Sequence, residues 1–193
     1  MGCFGNSGQS CNAPTRMLIP NARMTEAIGI AKAAAAKARV GDPNDEATRL
    51  GPVVSELQFN KITGLIEKGI EEGAELIAGG PGRPEGIDKG YFIQPTIFAN
   101  VTNDMTIARE EVFGPVLSIL GYKDDADAVQ IANDTEYGLA SYIFTNNHQR
   151  IQRFTEDLQF GEIQINGVKY SIYLPHGGIK NSGLGHDCSH LAL

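Results

Sequence analysis

Cys11 is the side chain in this sequence whose surroundings best suit covalent chemistry. It closes the stretch Phe4-Gly5-Asn6-Ser7-Gly8-Gln9-Ser10-Cys11, where Gly2, Gly5 and Gly8 allow tight turns around the sulfur. A cysteine attacks as its thiolate, and the oxyanion formed on attack needs backbone or amide N–H groups beside it. Small and amide-bearing neighbours suit that task, although the same residues also suit an ordinary loop cysteine beside a turn. A second chemical candidate is the pair Glu111 and Phe113, in Thr106-Ile107-Ala108-Arg109-Glu110-Glu111-Val112-Phe113-Gly114-Pro115. These residues stand just ahead of an apolar run, where side chains can project into a crevice at the end of a sheet. Taken alone, they read as a solvated acid and a core aromatic.

Other constellations carry less. Cys3, Cys11 and Cys188 are an odd set without a Cys-x-x-Cys pair, which supports neither a disulfide framework nor a zinc site. His186 and His190 are four apart but lack the glutamate of the zinc-protease pattern, so no metal is expected. The glycine-rich stretch Gly79 to Gly86 holds two prolines and has no helix after it, which makes it a surface turn rather than a phosphate loop. Gly178 and Gly183 frame four residues as in a phosphate loop, yet Leu184 stands where the lysine must be.

The elements that position these residues follow from periodicity and punctuation. Thr15–Ile19 is an apolar run stopped by Pro20 and reads as a strand. The alanine-rich segment Thr25–Arg39 reads as a helix ending at Gly41-Asp42-Pro43. Leu57, Ile62, Leu65, Ile66 and Ile70 fall at helical spacing behind Ser55, a candidate N-cap, with Gly73 closing the helix. Ala74–Ala78, Phe92–Phe98, Val116–Tyr122, Ser141–Thr145 and Glu162–Asn166 read as strands, and Asp124–Asn133 and Asn147–Leu158 as capped helices. The loop from Asn166 to Gly185 is too rich in glycine to be regular throughout. Alternating strands and helices point to the α/β class: a mostly parallel, open twisted sheet flanked by helices, with right-handed crossovers.

The 193 residues suffice for one domain with a substantial core, and 41% hydrophobic with 20% charged residues is ordinary for a globular protein. A formal net charge of −7, with no basic cluster, argues against a nucleic-acid partner. No apolar run approaches the length that spans a bilayer and no signal-peptide layout is present, so the expected setting is the cytoplasm, with no membrane partner.

Four motifs in order give the sequence a family likeness. Phe4-x-Asn6-x-Gly8-Gln9-x-Cys11, with Arg16 five residues on, resembles the nucleophile motif of the NAD(P)-dependent aldehyde dehydrogenases. Glu110-Glu111-Val112-Phe113-Gly114-Pro115-Val116, Asn133-x-x-x-Tyr137-Gly138-Leu139 and Pro175-His176-Gly177-Gly178-Ile179-Lys180-Asn181-Ser182-Gly183-Leu184-Gly185 follow in the family's order. The likeness covers essentially the whole chain. It implies an oxidoreductase in which Cys11 attacks an aldehyde and passes through a thiohemiacetal and a thioester to a carboxylic acid. It implies NAD or NADP as cofactor, with Glu111 accepting hydrogen bonds from the nicotinamide ribose and Phe113 packing near the nicotinamide.

The same likeness makes the last loop one wall of a substrate funnel, with Ser10, Tyr170 and His176 as candidate substrate contacts. Phe commonly stands in the family where His176 does, and a polar ring there suits a hydroxylated or charged aldehyde. The family also implies parts that are not in this sequence: a dinucleotide-binding domain with its Gly-x-Gly-x-x-Gly turn, a water-activating glutamate and an oxyanion-hole asparagine ahead of the cysteine, and an oligomerisation strand beyond residue 193. The expectation is therefore one partial catalytic domain over residues 1–193, from an enzyme that forms a homodimer or homotetramer. By itself the chain is expected to bind no cofactor and to be inactive as a dehydrogenase. A cysteine hydrolase or acyltransferase, wanting a histidine base, and a non-catalytic folded module stand as the alternatives.

Overall fold

The computed structural model describes residues 2–167 and 171–190. The chain divides into two compact units, residues 1–123 and 124–193. In the first unit a turn-rich segment, Gly2–Gly8, is followed by β1 (Arg16–Pro20), α1 (Met24–Ala36), α2 (Glu56–Glu71), β2 (Glu75–Ala78), β3 (Thr96–Ala99), the short α3 (Thr106–Arg109) and β4 (Val116–Tyr122). The four strands form one sheet in the order β1-β4-β3-β2. Strand β4 is flanked in parallel by β1 and β3, and β2 is antiparallel at the edge. The central position explains the composition of β4, a nearly unbroken apolar run in which Val116, Ile119 and Leu120 are buried.

Helix α1 packs on this sheet through small side chains, burying Ala31 and Ala35. They join Ala38, Leu50, Ile97 and Ile119 in a core that also contains Cys3 and Phe4. The segment leading to Cys11 is thus anchored by its own first residues. The Cys3 thiol donates to the Val116 carbonyl at 3.2 Å, and burial pushes its pKa up to about 12.

The predicted helix over 25–39 ends early, at Ala36, because Lys37 and Ala38 donate to Ala34 and Ala35 in a tightened last turn and Val40 is drawn into a bridge with Leu50. Helix α2 begins as read: the Ser55 hydroxyl accepts from the Gln58 N–H at 3.2 Å, and Gly73 adopts φ +91 just beyond its end. The strand expected over 92–98 starts only at Thr96, after Pro95, which has no N–H for a ladder. Helix α3 was not read from the sequence. Its first N–H and the Thr106 hydroxyl both donate to the Glu72 carboxylate, each at 2.6 Å, so a side chain 34 residues away starts it.

The second unit contains α4 (Asp125–Asn133), β5 (Tyr137–Gly138), β6 (Ala140–Ile143), α5 (His148–Asp157), β7 (Glu162–Ile165) and β8 (Ile179–Lys180). Asp124 and Asn147 cap the two helices as expected. Strands β6 and β7 pair in parallel, and β5 and β8 form a short antiparallel pair. The parallel pair is shorter than its sequence pattern. Asn166 turns left-handed at φ +52 and its side-chain amide exchanges two hydrogen bonds with Thr145, ending both strands. Among the described residues no helix is long and apolar enough to cross a membrane.

Candidate active site

The first unit brings two of the predicted groups together. Gly8, at φ +74, lies against the loop that carries Glu111 and Phe113: a Cβ placed on it would sit 2.0 Å from the Gly114 carbonyl oxygen. Only glycine allows that approach. The turn is tied on its other side as well. Ser7 Oγ donates to the Gly51 carbonyl at 2.8 Å, and Gln9 Oε1 accepts from the Val54 N–H at 2.9 Å. Gln9 and Asn6 further share three hydrogen bonds across four residues.

Cys11 follows this braced turn and is exposed, whereas Ser10 is half-buried. The Ser10 carbonyl accepts from the Ala13 N–H at 3.0 Å, closing a turn around the cysteine. The backbone N–H of Cys11 enters no backbone hydrogen bond among the described residues, which leaves a donor beside the sulfur. A free N–H in that place can meet an oxyanion formed by attack of Cys11.

The Glu111 to Gly114 loop is held from helix α2. Lys61 Nζ donates to the Glu111 carbonyl at 2.7 Å, and Gln58 Nε2 donates to the Val112 and Phe113 carbonyls at 3.0 and 2.9 Å. Ile62, fully buried, packs beneath Gly114 so closely that a Cβ there would lie 2.6 Å from its Cδ1. Phe113 is half-buried and left-handed at φ +54. The Glu111 side chain is exposed, and no hydrogen bond or ion pair among the described residues engages its carboxylate. A carboxylate presented in this way fits a ribose diol, since it can accept from both hydroxyls. Gln58 and Lys61 were missed in the sequence, where only the helical period of their neighbours stood out.

His176 belongs to the second unit, and Tyr170 lies outside the described residues. The His176 backbone exchanges hydrogen bonds with Asp187 at 2.8 and 2.7 Å. Its Nδ1 is 3.1 Å from Glu162 Oε2, with the two side chains only 23% and 19% exposed. The pair lines a small concavity of about 200 Å³ together with Gly161, Ile163, Ser171, Leu174 and Pro175. Glu162 carries no motif signal in the sequence; 14 residues separate it from His176, and only the fold makes them neighbours.

Three other polar motif residues of this unit, Lys180, Ser182 and Asn133, serve the backbone. Lys180 Nζ donates to the Asn133 and Thr135 carbonyls at 2.8 and 3.2 Å, where the cation also meets the negative end of α4. Ser182 Oγ accepts from Gly138 N–H at 2.9 Å, and Asn133 links to Asp157 and Gln159 through both ends of its amide. Cys3, Cys11 and Cys188 are all free thiols, and among the described residues no group of three His, Cys, Asp or Glu side chains could hold a metal.

A Staphylococcus haemolyticus protein carrying the aldehyde dehydrogenase name is 48% identical over 182 residues, which is 94% of this chain and 38% of that protein. The crystal structure of an aldehyde dehydrogenase from Bartonella henselae matches with a TM-score of 0.96 at 44% identity, over 99% of this chain and 40% of its own. A Mycobacterium tuberculosis aldehyde dehydrogenase complexed with NAD+ matches with a TM-score of 0.94 at 44% identity, over 97% of this chain and 39% of its own. A mutant of Pseudomonas syringae aldehyde dehydrogenase C, solved with NAD+ and octanal, gives 0.95 at 40% identity, over 98% of this chain and 39% of its own. The chain therefore spans about two fifths of the length of these relatives. The sequence model of the aldehyde dehydrogenase family matches residues 1–193, so a fold built around an exposed cysteine and a clamped acidic loop has a family to go with it: the chain belongs to the aldehyde dehydrogenases.

Proposed function

We propose that this chain is the nucleophile-bearing part of an NAD(P)-dependent aldehyde dehydrogenase, with Cys11 as the nucleophile. The observation that carries the reading is the seating of Gly8 on Gly114, which joins the exposed cysteine's turn to the loop presenting Glu111 and Phe113. Cys11 as thiolate would attack the aldehyde carbon to give a thiohemiacetal, its oxyanion met by the Cys11 N–H. Glu111 would hold the ribose next to the nicotinamide, and Phe113 would pack near the ring. NAD(P), when bound, supplies the hydride acceptor. Hydrolysis of the Cys11 thioester then releases the carboxylic acid, with a general base supplied from outside these residues.

The two units are read as parts of one catalytic domain because a single family match runs across both. His176 and Glu162 are read as contacts for the distal end of the substrate. A carboxylate beside an imidazole suits a hydrogen-bond donor such as a hydroxyl or ammonium group. The free thiols suit a reducing, cytoplasmic setting, and the family likeness supports a homodimer or homotetramer for the whole enzyme.

The 193-residue chain by itself is proposed to be inactive as a dehydrogenase. Glu111 and Phe113 reach only the nicotinamide end of the cofactor, and the sequence holds no glycine-rich turn for its phosphates. Absence of one oxyanion donor costs about 10²–10³ in rate, and absence of the general base a further ~10²–10⁴. The test is the appearance of NADH from an aldehyde. The purified chain should give none, and the enzyme containing these residues together with a cofactor domain should give a rate abolished by Cys11→Ala. Cys11-dependent NADH from the chain alone would overturn the proposed inactivity, and full activity of the Cys11→Ala enzyme would overturn the assigned nucleophile.

A further inference from the structure

We propose that the concavity beside β7 is a subsite for a primary alkylammonium group, which makes the substrate an aldehyde with an amino group at its far end. The inference rests on the reading of Glu162 and His176 as contacts for the distal end of the substrate, and deepens it by assigning the charge that they select.

The assignment starts from how Glu162 is held. Residues 162 and 164 share one face of β7, because side chains alternate along a strand. Gln164 Nε2 therefore reaches Glu162 Oε1 and donates to it. From the turn before β8, His176 Nδ1 approaches Oε2 at 3.1 Å. A carboxylate offers only acceptors, so this contact puts the imidazole hydrogen on Nδ1. Each carboxylate oxygen thus accepts from one fixed neighbour and keeps a lone pair for a further donor. The group is set in place before any ligand arrives.

Charge then separates the possible ligands. The Glu162 side chain is only 19% exposed, and a carboxylate withdrawn from water is costly until a cation compensates it. Among the described residues lining the concavity there is no Lys or Arg, and the walls other than Glu162 and His176 are uncharged. An anionic ligand would meet Glu162 with like charge. A neutral hydroxyl would use a lone pair and leave the charge uncompensated. An ammonium group does both tasks, and its charge-assisted hydrogen bonds are about twice as strong as neutral ones. Shape agrees with this choice. Ile163, Leu174 and Pro175 give the concavity an apolar wall, and Leu174 is 65% exposed, so an alkyl stem behind the ammonium would cover it.

The experiment titrates the 193-residue chain with three probes of one shape, propylammonium, 1-propanol and propionate, and follows the amide NMR signals of residues 161–163 and 174–176. At pH 8 an ordinary imidazole is uncharged and an alkylamine is still charged. Propylammonium should shift these signals saturably with a Kd of about 1–10 mM, and the other two probes should bind at least about tenfold more weakly. Glu162→Gln keeps the shape and removes the charge, and should bring propylammonium down to the level of propanol. Equal binding of all three probes would overturn the proposal, as would undiminished propylammonium binding by the variant. Should Glu162→Gln fail to fold, the contrast among the three probes in the wild-type chain decides alone.

A second measurement separates the subsite from the reading beneath it. In the enzyme that contains these residues together with a cofactor domain, kcat/KM for an aldehyde ending in an ammonium group should exceed that for the methyl-ended aldehyde of equal length by about tenfold, mainly through KM, and Glu162→Gln should bring the ratio to about one. A Cys11-dependent rate without this preference would overturn the substrate class and leave Cys11 as the nucleophile. Absence of any Cys11-dependent aldehyde oxidation, beside saturable propylammonium binding, would overturn the dehydrogenase reading and the substrate class with it, while the ammonium site itself would stand.

Discussion

The two units use motif residues in opposite ways. In the first, closely packed or hydrogen-bonded residues leave others open for chemistry: Gly8, Ser7, Gln9, Gln58 and Lys61 hold backbone, while Cys11 and the Glu111 side chain stand exposed. In the second, the polar side chains of the motifs are themselves consumed, with Lys180, Ser182 and Asn133 tied to backbone groups. The His176–Glu162 pair instead faces a concavity. A dense family motif is thus no guide to which residues react. The guide is whether the fold leaves a polar group without work to do for the backbone.

The largest expected effect separates the two cysteines of the first unit. Burial holds the Cys3 thiol up at about 12, so it stays neutral in the folded chain while an unfolded cysteine ionises near 9. The unfolded state therefore binds fewer protons between pH 9 and 12, and stability must fall across that window as pH rises, by about 4 kcal/mol at the upper end. Denaturant unfolding at pH 8, 10 and 11.5 checks this, and Cys3→Ala should flatten the alkaline limb. Alkylation at pH 8 should modify Cys11 and spare Cys3, whose thiolate fraction there is about 10⁻⁴. Equal labelling of both would erase the contrast.

Gly8→Ala and Gly161→Ala make the sharpest paired test of the units. A Cβ at Gly8 would meet the Gly114 carbonyl at 2.0 Å, and one at Gly161 would meet the Gly177 carbonyl at 1.9 Å. Each substitution should destabilise its unit by about 3 kcal/mol or more. Only Gly8→Ala should change the alkylation rate of Cys11; a matching change in Gly161→Ala would mean that the nucleophile's turn is not governed within its own unit.

Smaller effects belong to single caps. Lys180→Met removes a charged donor from two carbonyls at the end of α4 and should cost about 1.5 kcal/mol, seen as a lowered Tm with Cys11 reactivity intact. Ser55→Ala should cost about 1 kcal/mol through the start of α2, as should Asp124→Ala at the start of α4.

The sequence by itself determined what acts over a few residues or through a shared pattern. Ser55, Asp124 and Asn147 cap helices where they were expected to, because a cap joins residues two or three apart. The apolar run of β4 marked a strand over Val116–Tyr122, as observed, and four ordered motifs carried the family. Short elements escaped: α3 is started by Glu72, and β5 and β8 exist only through each other. The strand predicted to Phe98 ran on to Ala99 but lost its first half to Pro95, and those predicted to Thr145 and Asn166 were cut by one side-chain amide.

Only the tertiary structure decided which cysteine is an anchor and which is open. Cys3 and Cys11 lie eight residues apart in similar company, yet Cys3 is fixed by a contact to Val116 across 113 residues. The Gln58 clamp spans 54 and 55 residues, and neither partner has a periodic or turn signal that marks the other. Glu162 and His176 are closer in sequence but met only because β7 and the turn before β8 fold onto one concavity. Hydrogen bonds and packing depend on distance in space, and one chain of residue types records such distance only where neighbours in sequence are also neighbours in the fold.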